Sequence, residues 1–290
     1  MTEKNQVSAA GQSAVNAEMP EREPVLIVRN LELDILKGKE TFPILRDVSF
    51  SVGPGERRGI AGESGAGKSM TMYCLTSLLP RKNTRVRGEI LFRRSDGSYT
   101  DLLKLSWKER QRFSADHTCL ILQDSINALN PFERIETQWM ETVLLHRPGQ
   151  DRAEVRDRIL RQLDTFGIHG GEEVLRKYPH QLSGGMRQRI AIAMALESKA
   201  RLLIADEPTT SLDTINQRKI VDFIVQLCRD RGLAMLYITH NLGIVQAVCD
   251  TVTVMKDGRI IEQGLTENVF ACPQAEYTRT LLEGTRSLQR

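Results

Sequence analysis

Residues 59–70 read GIAGESGAGKSM: a short apolar run, then three glycines within six positions, then a lysine–serine pair opening a predicted helix. Glycine at 62, 65 and 67 lets the backbone turn successive N–H groups inward, around the oxygens of a phosphate. Glu63, Ser64 and Ala66 complete the loop. Lys68 brings a cation to the β- and γ-phosphates, and the Ser69 hydroxyl, followed by Met70, is a ligand for Mg²⁺. A strand that ends in such a loop and continues as a helix is one unit of an α/β fold. The flanking sequence should then alternate strands with helices.

It does. VLIVRNLELDI and PILRDVSFSVGPGERRGIAG predict strands, the second stretch broken at Gly53-Pro54-Gly55. GEILFRRSDGSYTDLL predicts a hairpin around Asp96-Gly97. CLILQD, RLLIAD and LAMLYITH are short apolar runs with polar ends, the pattern of buried parallel strands. TVTVMKDGRIIEQG adds a hairpin at Asp257-Gly258. Val155, Ile159, Leu163 and Phe166 recur at helical spacing in RAEVRDRILRQLDTFG. A mostly helical insert is expected between about 124 and 190, within a domain of 24–268. Residues 269–290 form a short C-terminal extension.

A phosphate loop needs an acidic counterpart. RLLIADEP delivers Asp206 to the polar end of a strand, suited to Mg²⁺, with Glu207 next to it to orient or polarise a water. Gln123 in LILQDS ends another strand and suits Mg²⁺ and the water. His240 in LYITHN ends a third and suits the γ-phosphate. A second anion site is predicted at 183–185: Ser183 is placed as an N-cap, and Gly184 and Gly185 open a helix whose first N–H groups lack internal partners.

Composition sets limits. Forty Lys and Arg against 37 Asp and Glu leave a formal charge of +3, and no basic run with interleaved aromatics points to nucleic acid. Cys74, Cys119, Cys228, Cys249 and Cys272 form no CxxC pair and read as free, buried thiols of a reducing compartment. Residues 1–23 are small and polar and read as a disordered tail without a secretory core. No apolar run is long enough to span a membrane.

The ordered set GESGAGKS, Gln123, LSGGM, LLIADEP, SLD and His240 resembles the ATPase subunit of an ATP-binding cassette (ABC) transporter, over nearly all of the chain after the tail. The resemblance implies a P-loop NTPase, RecA-like core with an antiparallel β subdomain and an inserted α-helical subdomain. It implies ATP and Mg²⁺, and two subunits facing head to tail. Ser183 and Gly185 of one then contact the γ-phosphate held by the other, with Asp213 at the same interface. It also implies two integral-membrane permease subunits contacted after Gln123, and a place on the cytoplasmic face of the inner membrane.

GESGAGKSMTMYCLTSLLP, LNP at 129–131, YPHQLSGGMRQRIAIAMAL and YTRTLLEG are similar to the ATPases of bacterial peptide and nickel importers. That subgroup implies a related second ATPase ahead of a second copy, and an extracytoplasmic binding protein. Three departures stand out. Ile35 occupies the region of an adenine-stacking aromatic, with Phe42 further on. Ser125 replaces a proline. The chain lacks the C-terminal cysteine cluster of many peptide members, which leans towards nickel or metal chelates. The alternative is a soluble ABC ATPase serving an assembly process such as iron–sulfur biogenesis.

Overall fold

The computed structural model describes residues 23–80, 82–122, 129–198, 200–209 and 214–287. Residues 1–22 of the expected tail, Gln123, Ser125 and Asp213 lie outside these residues. In chain order the elements are β1 (Leu26–Lys37), β2 (Glu40–Val52), β3 (Arg57–Ala61), α1 (Lys68–Thr76), β4 (Thr84–Arg93), β5 (Tyr99–Asp101), α2 (Trp107–His117) and β6 (Thr118–Ile121). Helices α3 (Ile135–His146), α4 (Arg152–Thr165), α5 (Gly171–Arg176) and α6 (Gly184–Ala195) follow, without an intervening strand among the described residues. The chain closes with β7 (Leu202–Asp206), α7 (Thr214–Arg231), β8 (Ala234–Thr239), α8 (Leu242–Val248), β9 (Thr251–Lys256), β10 (Arg259–Leu265), α9 (Thr266–Ala271) and α10 (Glu276–Ser287).

Two sheets organise the molecule. One is antiparallel, in the order β2-β1-β4-β5; the other has the order β10-β9-β3-β8-β7-β6, parallel except for β10 at its edge. The strands β7 and β8 are buried at every residue. Period-2 alternation sends successive side chains to opposite faces, and here both faces are covered. Leu202, Ile204, Leu236 and Ile238 pack with α1 and the antiparallel sheet. Leu203, Ala205, Met235 and Tyr237 pack with the helical side. Continuous apolar runs are what such a two-sided strand requires.

The helical insert is held by its own apolar face. Val155, Ile159 and Leu163 of α4 are buried, Phe166 caps the helix, and the Asp151 side chain accepts from the N–H groups of Ala153 and Glu154 at its start. The expected end of the insert near residue 190 falls inside α6, which runs on to Ala195. The last two helices are integral rather than appended: Val269, Phe270 and Leu282 belong to the same apolar cluster as the insert. Four cysteines are buried, their thiol pKa values pushed up to about 12 by that burial. Cys272 departs from the expectation and is exposed.

Candidate functional site

Parallel strands present their C-terminal ends on one edge of a sheet, and crossover loops there are the usual seat of a ligand. The strand β8 lies between β3 and β7, with Ala61 paired to Thr239 and Asp206 to Ile238. At the usual spacing of neighbouring strands, the loop after β3 and the carboxylate ending β7 are separated by about 10 Å. Topology alone brings together Gly62, Asp206 and His240.

The loop at 62–67 is shaped by close backbone packing. Gly62 has φ +152°, and a Cβ there would stand 2.3 Å from the Met255 carbonyl oxygen of β9. No side chain fits. The helix α1 begins at Lys68, whose ammonium donates to the carbonyl oxygens of Gly62 (2.9 Å) and Glu63 (2.8 Å). Burial lowers its pKa, opposed by the nearby charges of Glu207 and Asp206. The Ser69 hydroxyl donates to Asp206 Oδ1 at 3.3 Å. Asp206 is 6% exposed, and that burial raises its carboxyl pKa against the lowering influence of Ser69.

Glu207 has φ +44°, and its N–H extends the ladder by donating to the Ile238 carbonyl at 2.9 Å. A non-glycine residue in the left-handed region is held there by its surroundings. Here those surroundings include the Gln188 side-chain amide of α6, which donates to the carbonyl of Pro208. The His240 Nδ1 lies 2.8 Å from Glu207 Oε1.

One cleft of about 690 Å³ gathers Gly62, Glu63, Ser64, Gly65, Gly67 and Lys68 with Ser69, Met70, Glu207 and His240. Two residues that sequence reasoning missed join them: Ile44 of β2 and Leu281 of α10. Neither carries a local signal, because each reaches the cleft through the packing of a distant element. A third, Tyr277, accepts at its hydroxyl from the Glu63 N–H at 3.3 Å. Ile35 and Phe42, considered for the base, face each other across the β1–β2 register and do not line the cleft.

Ser183, Gly184 and Gly185 lie elsewhere. Ser183 caps α6, its hydroxyl accepting from the Met186 N–H at 3.3 Å. These three residues do not line the cleft. A Cβ added at Gly185 would meet no atom within 4 Å. Among the described residues, nothing demands glycine there.

A glycine-rich loop and strand-end carboxylates on one edge of a parallel sheet define a P-loop nucleotide-binding protein. A model of the family described as "ABC transporter" matches residues 45–210, more than half of the chain, and the chain belongs to that family. It is 42% identical over 261 residues to the peptidoglycan transport ATP-binding protein YejF of Agrobacterium fabrum, covering 90% of this chain and 47% of that protein. It is 39% identical to the oligopeptide transport ATP-binding protein OppD of Salmonella typhimurium, covering 84% of this chain and 71% of that one. The chain thus spans about half the length of the first of these relatives. A solved dimeric structure of MJ0796, described as a bacterial ABC transporter cassette, superimposes with a TM-score of 0.68 at 25% identity. That match covers 83% of this chain and 98% of the other. No helix among the described residues is long and apolar enough to cross a membrane.

Proposed function

We propose that this chain hydrolyses ATP as the motor subunit of an importer, and that its cargo is peptide. The reading is carried by one observation: Lys68, Asp206, Glu207 and His240 converge beside the phosphate loop in a chain closely similar to transport ATP-binding proteins. The names of the two relatives, for peptidoglycan and oligopeptide transport, favour peptide over the nickel that the missing cysteine cluster suggested. They also favour transport over a soluble assembly role.

Phosphoryl transfer asks a protein for positioning and charge stabilisation more than for covalent chemistry. The loop at 62–69 supplies backbone N–H groups for the phosphates. Lys68 has three N–H donors, and two are engaged by the Gly62 and Glu63 carbonyls, which leaves one to reach a phosphate oxygen. Glu207 is the base that orients the attacking water, and His240 steadies its carboxylate while facing the γ-phosphate. The donor set fits Mg²⁺. Ser69 and Asp206 offer hard oxygen ligands 3.3 Å apart, and a buried carboxylate with a raised pKa is the group a cation would return to its charged form. Ser69 and Asp206 would hold Mg²⁺, which would supply charge neutralisation during phosphoryl transfer; Gln123, outside the described residues, is a further ligand expected from sequence.

The α6 start, capped by the exposed Ser183 and with no described atom near a Cβ at Gly185, is assigned to the nucleotide of a facing cassette. A related ATPase, two permeases and an extracytoplasmic binding protein complete the assembly, with this chain on the cytoplasmic face of the membrane. The test is uptake of a labelled tripeptide and of ⁶³Ni²⁺ by native cells carrying Glu207→Gln in the chromosomal copy. Loss of peptide uptake with nickel uptake intact is expected. Intact peptide uptake overturns the reading.

A further inference from the structure

The cleft beside the phosphate loop is lined by both polar and apolar groups. Apart from Met70, which follows the loop, its apolar lining consists of Ile44 and Leu281. Ile44 belongs to β2 and packs on the antiparallel-sheet core, whereas Leu281 belongs to α10 and packs on the helical-side core. The two apolar cores of the molecule thus each send one aliphatic side chain to the same opening. A nucleotide has a matching division: anionic phosphates, and a base whose faces are its apolar part.

The position of α10 is fixed at three points. At its start, the Glu262 carboxylate of β10 accepts from the N–H groups of Gln274 (2.8 Å) and Ala275 (3.1 Å). One face of the helix carries Thr278 and Leu282, both buried. The adjoining face carries Tyr277 and Leu281, four residues apart and so stacked on one side of the helix. Tyr277 accepts from the Glu63 N–H of the phosphate loop, and the Lys256 ammonium sits 4.6 Å from its ring centroid. Tyr277 is bonded to the phosphate loop, and Leu281, one turn further along the helix, lines the cleft.

We propose that α10 is part of the nucleotide site, with Leu281 seating the base opposite Ile44 and Tyr277 positioning the helix that carries it. This rests on the ATP-binding reading above and adds to it a contact from the C-terminal helix. It also explains how a chain with Ile35 near the expected aromatic position, and Phe42 outside the cleft lining, can hold a base: aliphatic contacts replace a ring.

The experiment is competition against a fluorescent ATP analogue on the purified full chain, with ATP and with inorganic tripolyphosphate, which has no base. Leu281→Ala should weaken ATP about tenfold, the order expected for removing one buried aliphatic contact, and leave tripolyphosphate within about twofold. Leu281→Met, similar in volume, should keep ATP within about threefold of wild type, and Phe42→Ala should do the same. Two results overturn the proposal. One is unchanged ATP affinity in Leu281→Ala. The other is equal weakening of ATP and tripolyphosphate, which would place the effect in the phosphate loop. Failure of the wild-type chain to bind ATP at all would instead remove the ATP reading.

Discussion

Asp206 shows what function costs the fold. Burial is the largest influence on its carboxyl and raises its pKa, with Ser69 a smaller, opposing one. An acid whose folded pKa lies above its unfolded value holds its proton more tightly when folded. Its favourable contribution is therefore present at acid pH and is lost as pH rises through the unfolded and then the folded pKa. Asp206→Asn, isosteric and uncharged, should raise Tm at pH 7 by about 2–4 °C, the shift that roughly 1 kcal/mol produces in a chain of this size. The gain should shrink at pH 4, and turnover should be lost; thermal melts at the two pH values with a phosphate-release assay check all three. At the next residue, Glu207→Gln should keep ATP affinity within about threefold and cut turnover by at least about 100-fold. Filter binding and single-turnover hydrolysis separate these, and substantial hydrolysis by the variant would remove Glu207 from its role. These side chains were legible in sequence because each stands at the end of a short apolar strand, where position and chemistry are encoded together. Leu281 and Ile44 were not, since an aliphatic residue at helical or strand spacing reads as core until the neighbouring element is known.

Elements matter here through where they touch the loop. The turn between β9 and β10 is an example: sequence located it at Asp257-Gly258, but not what it rests on. The Gly258 N–H donates to the Ala66 carbonyl at 3.1 Å, while its own carbonyl accepts from the Arg46 N–H at 2.8 Å. Gly258 has φ +74°, and a Cβ would lie 1.9 Å from the Ile44 carbonyl oxygen. Gly258→Ala thus combines backbone strain with a backbone clash, and the turn must lift from the phosphate loop. The expected result is a stability loss of about 2 kcal/mol or more in denaturant titration, with ATP affinity reduced as well. A fully stable variant with wild-type ATP binding would show that the turn merely adjoins the loop. The helix α6 is a second case. Its N-cap was readable from Ser183 and the glycines, yet the grip of Gln188 on the carbonyl after Glu207 was not, because a buried glutamine in a helix has no sequence signal beyond its type. Local rules identify elements; their contacts come from topology.

At the scale of the whole molecule, the two stretches proposed to receive phosphate do not line one cleft. The loop at 62–69 lies in the cleft with Glu207 and His240, whereas the α6 start does not line it. Among the described residues, no atom lies within 4 Å of a Cβ placed at Gly185. On the proposed function a second molecule resolves the division; the solved cassette MJ0796 is itself described as dimeric. Gly185→Asp isolates the point, because its effects on the monomer and on the assembly should have opposite signs. In the monomer the new carboxylate has room, replaces a poor helix former and sits in the first turn of α6, where the helix dipole favours negative charge; Tm should stay level or rise. In a facing pair the same carboxylate meets the partner's γ-phosphate, and like charges at close range in a partly dry interface repel strongly. Light scattering in the Glu207→Gln background, where bound ATP is not consumed, should show an ATP-dependent dimer that Gly185→Asp abolishes while nucleotide binding to the monomer persists. A dimer of undiminished affinity would mean that the α6 start faces something other than the phosphate of a second cassette.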